Sequence, residues 1–181
     1  MQNQDFTHEN ITLRTVDERN LAQVQEVLNH APYYHTTIVQ HSASGLAERC
    51  FEAPAPEVEN SRVFKRFFIV DAPTIAKFPV ATVDLYAGFP NYKTASIAML
   101  VVREDCQRKG IGSTLLTRVL PAFLAECHPA VEFLSVSMTE NNVPALRCLV
   151  KNQFERTNRW EKLDINDKPV IALTYRLRLK K

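Results

Sequence analysis

The sequence predicts an α/β (α+β) protein in which one mixed sheet carries helices on both faces. Short apolar segments with the two-residue period of strands alternate with segments whose apolar residues recur at helical spacing. Along the chain these segments follow the order β-α-α-β-β-β-α-β-α-β-β. The chain has only four glycines, and two of them stand together in one loop between a strand and a helix.

The amino-terminal third contains one strand, two helices and a loop. Residues 11–16 alternate as an edge strand does, and a second helix is predicted over residues 44–51. Residues 53–61 form a loop, because two closely spaced prolines discourage a helix and polar residues follow them. The first helix has Asp17 as its expected N-cap, and its apolar stripe consists of Leu21, Val24, Val27 and Leu28.

The rest of the chain supplies six strands and two helices. The strands are predicted over residues 66–70, 80–86, 97–102, 133–137, 154–163 and 170–179, and the helices over 112–126 and 143–151. Pro121 should kink the first of these helices near Leu120. The last two strands form a hairpin across Asn166 and Asp167. The final strand carries several basic residues that would discourage pairing at a sheet edge, which favours a monomer or a homodimer formed elsewhere.

Composition excludes several classes of protein. The 181 residues suggest one domain over residues 1–181, and 22 basic against 20 acidic residues give a net charge of +2, which argues against a nucleic-acid partner. No apolar run approaches the roughly 20 residues that span a bilayer, and the first residues do not resemble a signal peptide. We therefore expect a cytoplasmic protein with no membrane partner. The cysteines and histidines lack zinc spacing, so no metal site is predicted.

The two neighbouring glycines lie in residues 107–112, between an apolar strand and an amphipathic helix. Such a loop can turn its amide N–H groups inward, and the helix N-terminus adds partial positive charge. Together they suit a phosphate or pyrophosphate, with Arg108 and Lys109 adding charge nearby. The glycine spacing fits neither a P-loop nor a Rossmann fingerprint. The alternative interpretation is a glycine turn that merely starts a helix.

The loop has the pattern Gln-x-x-Gly-x-Gly, and in this position it resembles the cofactor signature of the GNAT superfamily of N-acetyltransferases. Residues 97–102 resemble the strand that these enzymes place beside the acetyl thioester. Downstream, Asn142 to Leu146 resembles their Asn-x-x-Ala element. The resemblance is specific over about 60 residues and loose over nearly the whole chain.

The resemblance implies a mostly antiparallel sheet of six to seven strands flanked by about four helices. It also implies transfer of an acetyl group from acetyl-CoA to a primary amine of a small molecule or peptide by direct attack. A catalytically weak or inactive coenzyme A-binding module is the alternative. The residues implied in holding coenzyme A are Leu100, Val101, Val102, Gln107, Arg108, Lys109, Gly110, Ile111, Gly112, Ser113, Asn142 and Ala145.

The catalytic groups do not transfer from the family, because the sequence departs from its pattern twice. Leu149 stands where many members have a tyrosine that acts as general acid, and Ser96 and Ile97 lie where many have a glutamate. Asp84 is a lone carboxylate inside an apolar strand, and Tyr86 shares its face. These two are the catalytic candidates if that face lines the cleft. The alternative is that strand alternation places Asp84 in solvent.

Overall fold

The computed structural model describes residues 5–40, 42–59, 61–165 and 167–179. Within these ranges eight strands form one sheet in the order β1-β2-β3-β4-β5-β6-β8-β7. The strands are β1 (Phe6–His8), β2 (Ile11–Thr15), β3 (Phe64–Asp71), β4 (Ala81–Ala87), β5 (Thr94–Val102), β6 (Phe133–Thr139), β7 (Glu155–Ile165) and β8 (Lys168–Arg178). All neighbouring strands are antiparallel except β5 and β6, which confirms the predicted mixed, mostly antiparallel sheet.

Five α-helices lie against this sheet in the described part of the chain. They are α1 (Leu21–Asn29), α2 (Leu46–Glu52), α3 (Ile111–Thr114), α4 (Leu120–Cys127) and α5 (Val143–Lys151). A π-helical segment, Leu115–Val119, joins α3 to α4 without a break, and a second one, Tyr34–Val39, follows α1. Among the described residues, none of these helices has the length and apolar character needed to cross a membrane.

The irregularity predicted around Pro121 takes the form of a change in helix type. The π-helical segment ends at Val119, and Pro121 follows in the first turn of α4. A proline inside a helix removes one backbone hydrogen bond and crowds the carbonyl four residues earlier. The wider turn just before Pro121 relieves that crowding, so the helix that begins at Ile111 continues to Cys127.

Two predictions about the amino-terminal strand and helix are wrong. β2 is not an edge strand, because the unpredicted strand β1 pairs with it, Phe6 lying opposite Leu13. α1 begins after Asn20 rather than after Asp17. The Asp17 carboxylate instead accepts a hydrogen bond from the Arg19 amide at 3.0 Å, which organises the turn before the helix.

At the other end of the sheet, the predicted edge position of the final strand is also wrong. β8 lies between β6 and β7, and β7 is the edge strand. The charges of β8 therefore give no argument about self-association. Trp160 lies on β7 with 65% of its surface exposed. A hairpin whose second strand folds back beside β6 necessarily leaves its first strand outside.

Buried apolar side chains cover both faces of the sheet. On one face, strand residues such as Leu85 and Leu134 pack with Leu115 and Phe123 from the long helix. On the other face, Phe67 and Ile69 are among the strand residues that pack with α1, and α2 adds to this cluster. The two faces are called the α4 face and the α1–α2 face below. Strand alternation distributes neighbouring residues between the faces, and β3 and β5 contribute apolar side chains to both clusters.

Candidate active site

The parallel strands β5 and β6 pair over only four residues and then separate. Thr94 to Ile97 lie opposite Phe133 to Val136, and no later residue of either strand pairs with the other. β5 remains paired with β4 up to Val102, and β6 remains paired with β8 up to Thr139. Beyond Ile97, the backbone polar groups that β5 directs toward β6 are left without ladder partners, which creates a site for an extended ligand.

A β-bulge lies at the point where the two strands separate. In the β4–β5 ladder, Asp84 lies opposite Met99 and Leu85 lies opposite Ile97, so Ala98 has no partner. A bulge bends the strand that contains it and increases its local twist. It also reverses the alternation of β5: Ile97 packs in the cluster on the α4 face, whereas Met99 and Val101 pack on the α1–α2 face.

The loop after β5 has the backbone that an anion site requires. Arg108 and Gly110 have positive φ angles of 59° and 85°, and α3 begins directly after Gly110. The first bond of this helix runs from the Thr114 N–H to the Gly110 carbonyl at 2.9 Å. The N–H groups of Ile111, Gly112 and Ser113 precede that bond, and helix geometry leaves such groups without a partner inside the helix.

Side chains at the two ends of the loop hold its backbone in place. The Gln107 side chain donates a hydrogen bond to the Val102 carbonyl at 3.0 Å, which closes the loop against the end of β5. Ile111 is buried in the core and anchors the start of α3. Arg108 and Lys109 are exposed beside the free N–H groups.

α5 borders the same loop. The Asn152 side chain donates to the Ser113 hydroxyl at 2.9 Å and to the Cys148 carbonyl at 2.7 Å, which ties the end of α5 to the start of α3. At the other end of α5, the Asn142 side chain accepts a hydrogen bond from the Ala145 N–H at 3.3 Å. Asn142 is therefore the N-cap of α5.

Strand register places a row of polar residues across the α1–α2 face. Residues directly opposite each other in neighbouring strands share a face. The row runs through Lys65, Tyr86, Ser96, Ser135 and Arg176, one residue from each of β3, β4, β5, β6 and β8. The Ser96 hydroxyl donates to the Phe89 carbonyl at 2.9 Å, so in its 2.6 Å contact with Ser135 it acts as acceptor.

Asp84 lies on this same face and is buried, with 3% of its surface exposed. Its Oδ2 is 3.9 Å from the Lys65 Nζ, and its Oδ1 has no hydrogen-bond partner among the described residues. Burial raises the pKa of Asp84 to about 6, although Lys65, the Leu85 amide and the Tyr86 hydroxyl each lower it. Solvent exposure, the alternative left open by the sequence, is thereby excluded. A carboxyl group with this pKa can exchange a proton near neutral pH.

Two tyrosines, Tyr86 on β4 and Tyr34 after α1, lie on the same side of the sheet as this carboxylate. Burial first, and then the Asp84 charge, raise the pKa of Tyr86 to about 12. Burial likewise raises the pKa of Tyr34 to about 12, and Tyr34 packs in the cluster under α1 and α2. Both phenols therefore keep their protons at physiological pH and act only as hydrogen-bond donors or weak acids.

Comparison with known proteins assigns the chain. Residues 37–154 match the family model described as the acetyltransferase (GNAT) family, which is well over half of the chain. The chain belongs to the GNAT family of acetyltransferases. It is accordingly an acetyl-CoA-dependent acyltransferase, as the sequence resemblance implies. A comparison with curated protein sequences finds no match.

Solved structures of GNAT acetyltransferases have the same fold. An acetyltransferase from Thermus thermophilus has a TM-score of 0.66 and 19% identity, covering 94% of this chain and 97% of the other. An acetyltransferase from Salmonella typhimurium that modifies the N-terminal serine of ribosomal protein L7/L12 has a TM-score of 0.74 and 13% identity, covering 98% and 100%. The ribosomal L7/L12 alpha-N-protein acetyltransferase RimL in complex with coenzyme A has a TM-score of 0.68 and 11% identity, covering 97% and 98%. At these identities the likeness establishes the fold.

The structure brings the predicted residues of this GNAT domain together in two groups. Leu100 to Val102 and the loop follow the last β5–β6 pair on one side of the gap, and Asn142 with Ala145 begin α5 shortly after the end of β6 on the other. Asp84 and Tyr86 lie one strand away on the α1–α2 face. Leu149, which stands at the family's usual tyrosine position, is buried in the core with 4% of its surface exposed. The family's usual general acid therefore has no counterpart at this position.

Sequence reasoning missed three residues that organise these groups. They are Lys65 beside Asp84, Asn152 beside the glycine loop, and Ser135 beneath Ser96. Lys65 carries a signal like that of Asp84, since it is a charge inside an apolar strand. Nothing in the sequence places Asn152 or Ser135, because their partners lie 39 residues away along the chain.

The glycine loop yields a stability prediction. Gly110→Ala should lower the free energy of unfolding by about 1–2 kcal/mol, because a side chain disfavours the left-handed backbone there. The added Cβ meets nothing within 4 Å, so the effect is one of backbone conformation alone. Urea denaturation measures it. Gly110→Asn should lower the free energy of unfolding by less than Gly110→Ala, since asparagine tolerates this conformation.

Gly112→Ala is the matched control for this measurement. Gly112 has no positive φ, and its added Cβ would only reach ordinary contact with the Cys148 sulfur at 3.9 Å. The free energy of unfolding of Gly112→Ala should stay unchanged or rise. Equal losses at Gly110 and Gly112 would contradict the assigned loop backbone.

Proposed function

We propose that residues 1–181 form one N-acetyltransferase domain that transfers the acetyl group of acetyl-CoA directly to a primary amine of a small molecule or peptide. The observation that carries the proposal is the opening between β5 and β6, with the N–H groups of the glycine loop at its end and a buried carboxylate beside it. The amine enters from the α1–α2 face, where Asp84 lies. The cofactor enters from the end of the sheet where α3 begins.

The residues around the gap fit coenzyme A. The N–H groups of Ile111, Gly112 and Ser113, with the positive end of the long helix, suit a pyrophosphate. Arg108 and Lys109 add positive charge at the solvent side. Leu100, Val101 and Val102 are paired with β4 and have no partner strand on the β6 side, so backbone groups that they direct into the gap suit the amide groups of a pantetheine arm. Asn152 accounts for one lone pair of Ser113 Oγ, so the Ser113 proton remains available to an acceptor oxygen.

Acetyl-CoA, when bound, supplies the activated thioester. The protein's part in the transfer is to accept one proton and to donate one hydrogen bond. Asp84 accepts a proton from the incoming ammonium, because its Oδ1 has no other partner and its pKa lies near 6. The free amine then forms the new C–N bond as the C–S bond breaks, and the proton that the new amide nitrogen loses goes to the departing thiolate sulfur. The Tyr86 phenol, which keeps its proton, donates a hydrogen bond to developing negative charge.

Within the proposal that the acceptor is an amine, two classes of acceptor remain open: small amines and peptides. Tyr86 and the row of hydroxyls give a polar, partly aromatic floor that suits a small amine or the end of a peptide. Two of the similar structures belong to enzymes that acetylate a ribosomal protein, which makes peptide N-termini a first choice for screening. An inactive coenzyme A-binding module is the alternative, and the absence of the family's usual tyrosine favours it.

Cofactor binding is tested at Gly112. Acetyl-CoA should bind the wild-type protein with a micromolar Kd in calorimetric titration, and Gly112→Asp should weaken that binding. Gly112→Asn is the matched control, because it has the same size without the charge. Gly112→Asp should bind about tenfold more weakly than Gly112→Asn or worse, since like charges at this range repel by about 1 kcal/mol or more. Equal affinities for the two variants would remove the loop as the pyrophosphate site.

Direct attack is tested by initial rates with an acceptor found among amines and peptides with free N-termini. Varying both substrates should give intersecting double-reciprocal lines, because no acyl-enzyme forms. Parallel lines would indicate a covalent intermediate and would direct attention to the half-buried thiols of Cys50 and Cys148. If acetyl-CoA binds but no acceptor is acetylated, the inactive module is the better description.

Asp84 is tested by the pH dependence of kcat/KM. An acceptor that binds as its ammonium form does not change protonation around pH 6, so a rise through pH 6 belongs to the enzyme. Asp84 must be deprotonated to act, and its pKa of about 6 places the rise there. Asp84→Asn should lower kcat/KM by about 10²- to 10⁴-fold and abolish the rise. A rise that persists in Asp84→Asn would exclude Asp84 as the base. Tyr86→Phe should keep the rise.

A further inference from the structure

A partly buried lysine lies next to Asp84 and is bound to a different part of the protein. The Lys65 side chain is 17% exposed, and its ammonium group lies about midway between the rings of Phe67 and Tyr86, 6.0 Å from each centroid. A buried ammonium group needs hydrogen-bond partners for its three N–H groups. Lys65 finds them outside the sheet.

The partners are carbonyl groups at the carboxyl end of α2. Lys65 Nζ donates to the Ala53 carbonyl at 2.6 Å, to the Phe51 carbonyl at 3.3 Å, and to the Cys50 carbonyl. These three bonds use all three N–H groups. The carboxyl end of a helix also carries partial negative charge, which favours a cation there. α2 therefore holds the ammonium group in place.

This arrangement leaves Asp84 with a charge partner and no hydrogen bond from that partner. The Nζ–Oδ2 distance of 3.9 Å is too long for a hydrogen bond but short enough for strong charge attraction. A hydrogen-bonded lysine would occupy the carboxylate lone pairs that an incoming ammonium must reach. A lysine bound to α2 stabilises the negative charge and leaves Oδ1 without a hydrogen-bond partner among the described residues.

We propose that Lys65 is a positioning residue that keeps Asp84 negatively charged through its own charge alone, while α2 holds the ammonium group away from the carboxylate oxygens. The proposal rests on the proposed function only in naming the acceptor amine as the group that uses those oxygens. It also links α2, which covers the α1–α2 face, to the charge state of the base.

The other described groups that face Asp84 supply no positive charge. From its own strand, the Leu85 amide and the Tyr86 hydroxyl face the carboxylate, and both are neutral. From α2, the Cys50 thiol faces it, and burial first and Asp84 second raise the pKa of that thiol, so it stays protonated. Lys65 is thus the cation that acts on Asp84 within the described residues.

The test is a carbon-13 NMR titration of the Asp84 carboxyl group in the protein without cofactor, with the signal assigned by its loss in Asp84→Asn. In the wild type Asp84 should titrate at about pH 6. Lys65→Gln removes the charge but keeps donors for the α2 carbonyls, and it should move the titration upward by about 1–3 pH units. Lys65→Met should do the same if it folds. Lys65→Arg keeps the charge and should stay close to the wild type.

Lys93→Met is the matched control. Lys93 also has a carboxylate partner, Glu132, at 3.0 Å, but lies outside this cluster. It should leave the Asp84 titration unchanged. An Asp84 titration at the wild-type pH in folded Lys65→Gln would overturn the proposal.

The pH dependence of kcat/KM distinguishes a charge effect of Lys65 on Asp84 from a purely structural role of Lys65. In Lys65→Gln the rise of kcat/KM should move upward together with the NMR titration. Loss of support for α2 alone would instead lower kcat/KM by the same factor at every pH, and that result would contradict the proposal. A shifted NMR titration with an unmoved kinetic rise would contradict Asp84 as the base and leave the charge effect of Lys65 standing.

Discussion

The site depends on one constraint, the separation of two parallel strands that are each held by an antiparallel neighbour. β4 holds β5 to its end, and β8 holds β6 to its end, so neither strand can close the gap that opens after four pairs. The bulge at Ala98 turns β5 at the point of separation. The opening therefore costs the fold few ladder bonds, and the polar backbone that it leaves unpaired is available to a ligand.

The gap also explains why the chemistry lies on two sides of the sheet. The first N–H groups of α3 lie in the loop that follows β5, whereas α5, which follows β6, contacts that loop through Asn152 at its carboxyl end. The same bulge exchanges the faces of β5, which brings Met99 rather than Ala98 opposite Asp84. The carboxylate thus lies beside the gap without lying in it.

Burial of Asp84 is unfavourable for stability and useful for proton transfer. Its pKa is raised above the ordinary value, so the fold favours the protonated acid, and native stability falls as the pH rises from the ordinary value through about 6. Lys65 offsets part of this effect, because it is tied to α2 and contributes its charge. A structural role alone would be served better by an apolar pair. Retention of two buried charges next to the gap is consistent with a functional site.

The sequence by itself determined the order of the elements from β2 onward and the glycine loop between β5 and the long helix, because these features depend on periodicity and on contacts within a few residues. It also marked Asp84 as a charge in an apolar strand, but left its surroundings open. Only the tertiary structure decided that Asp84 is buried, that Lys65 and α2 surround it, and that β8 lies inside the sheet. Those facts depend on strand register and on pairs of residues far apart in the chain, which local pattern does not encode.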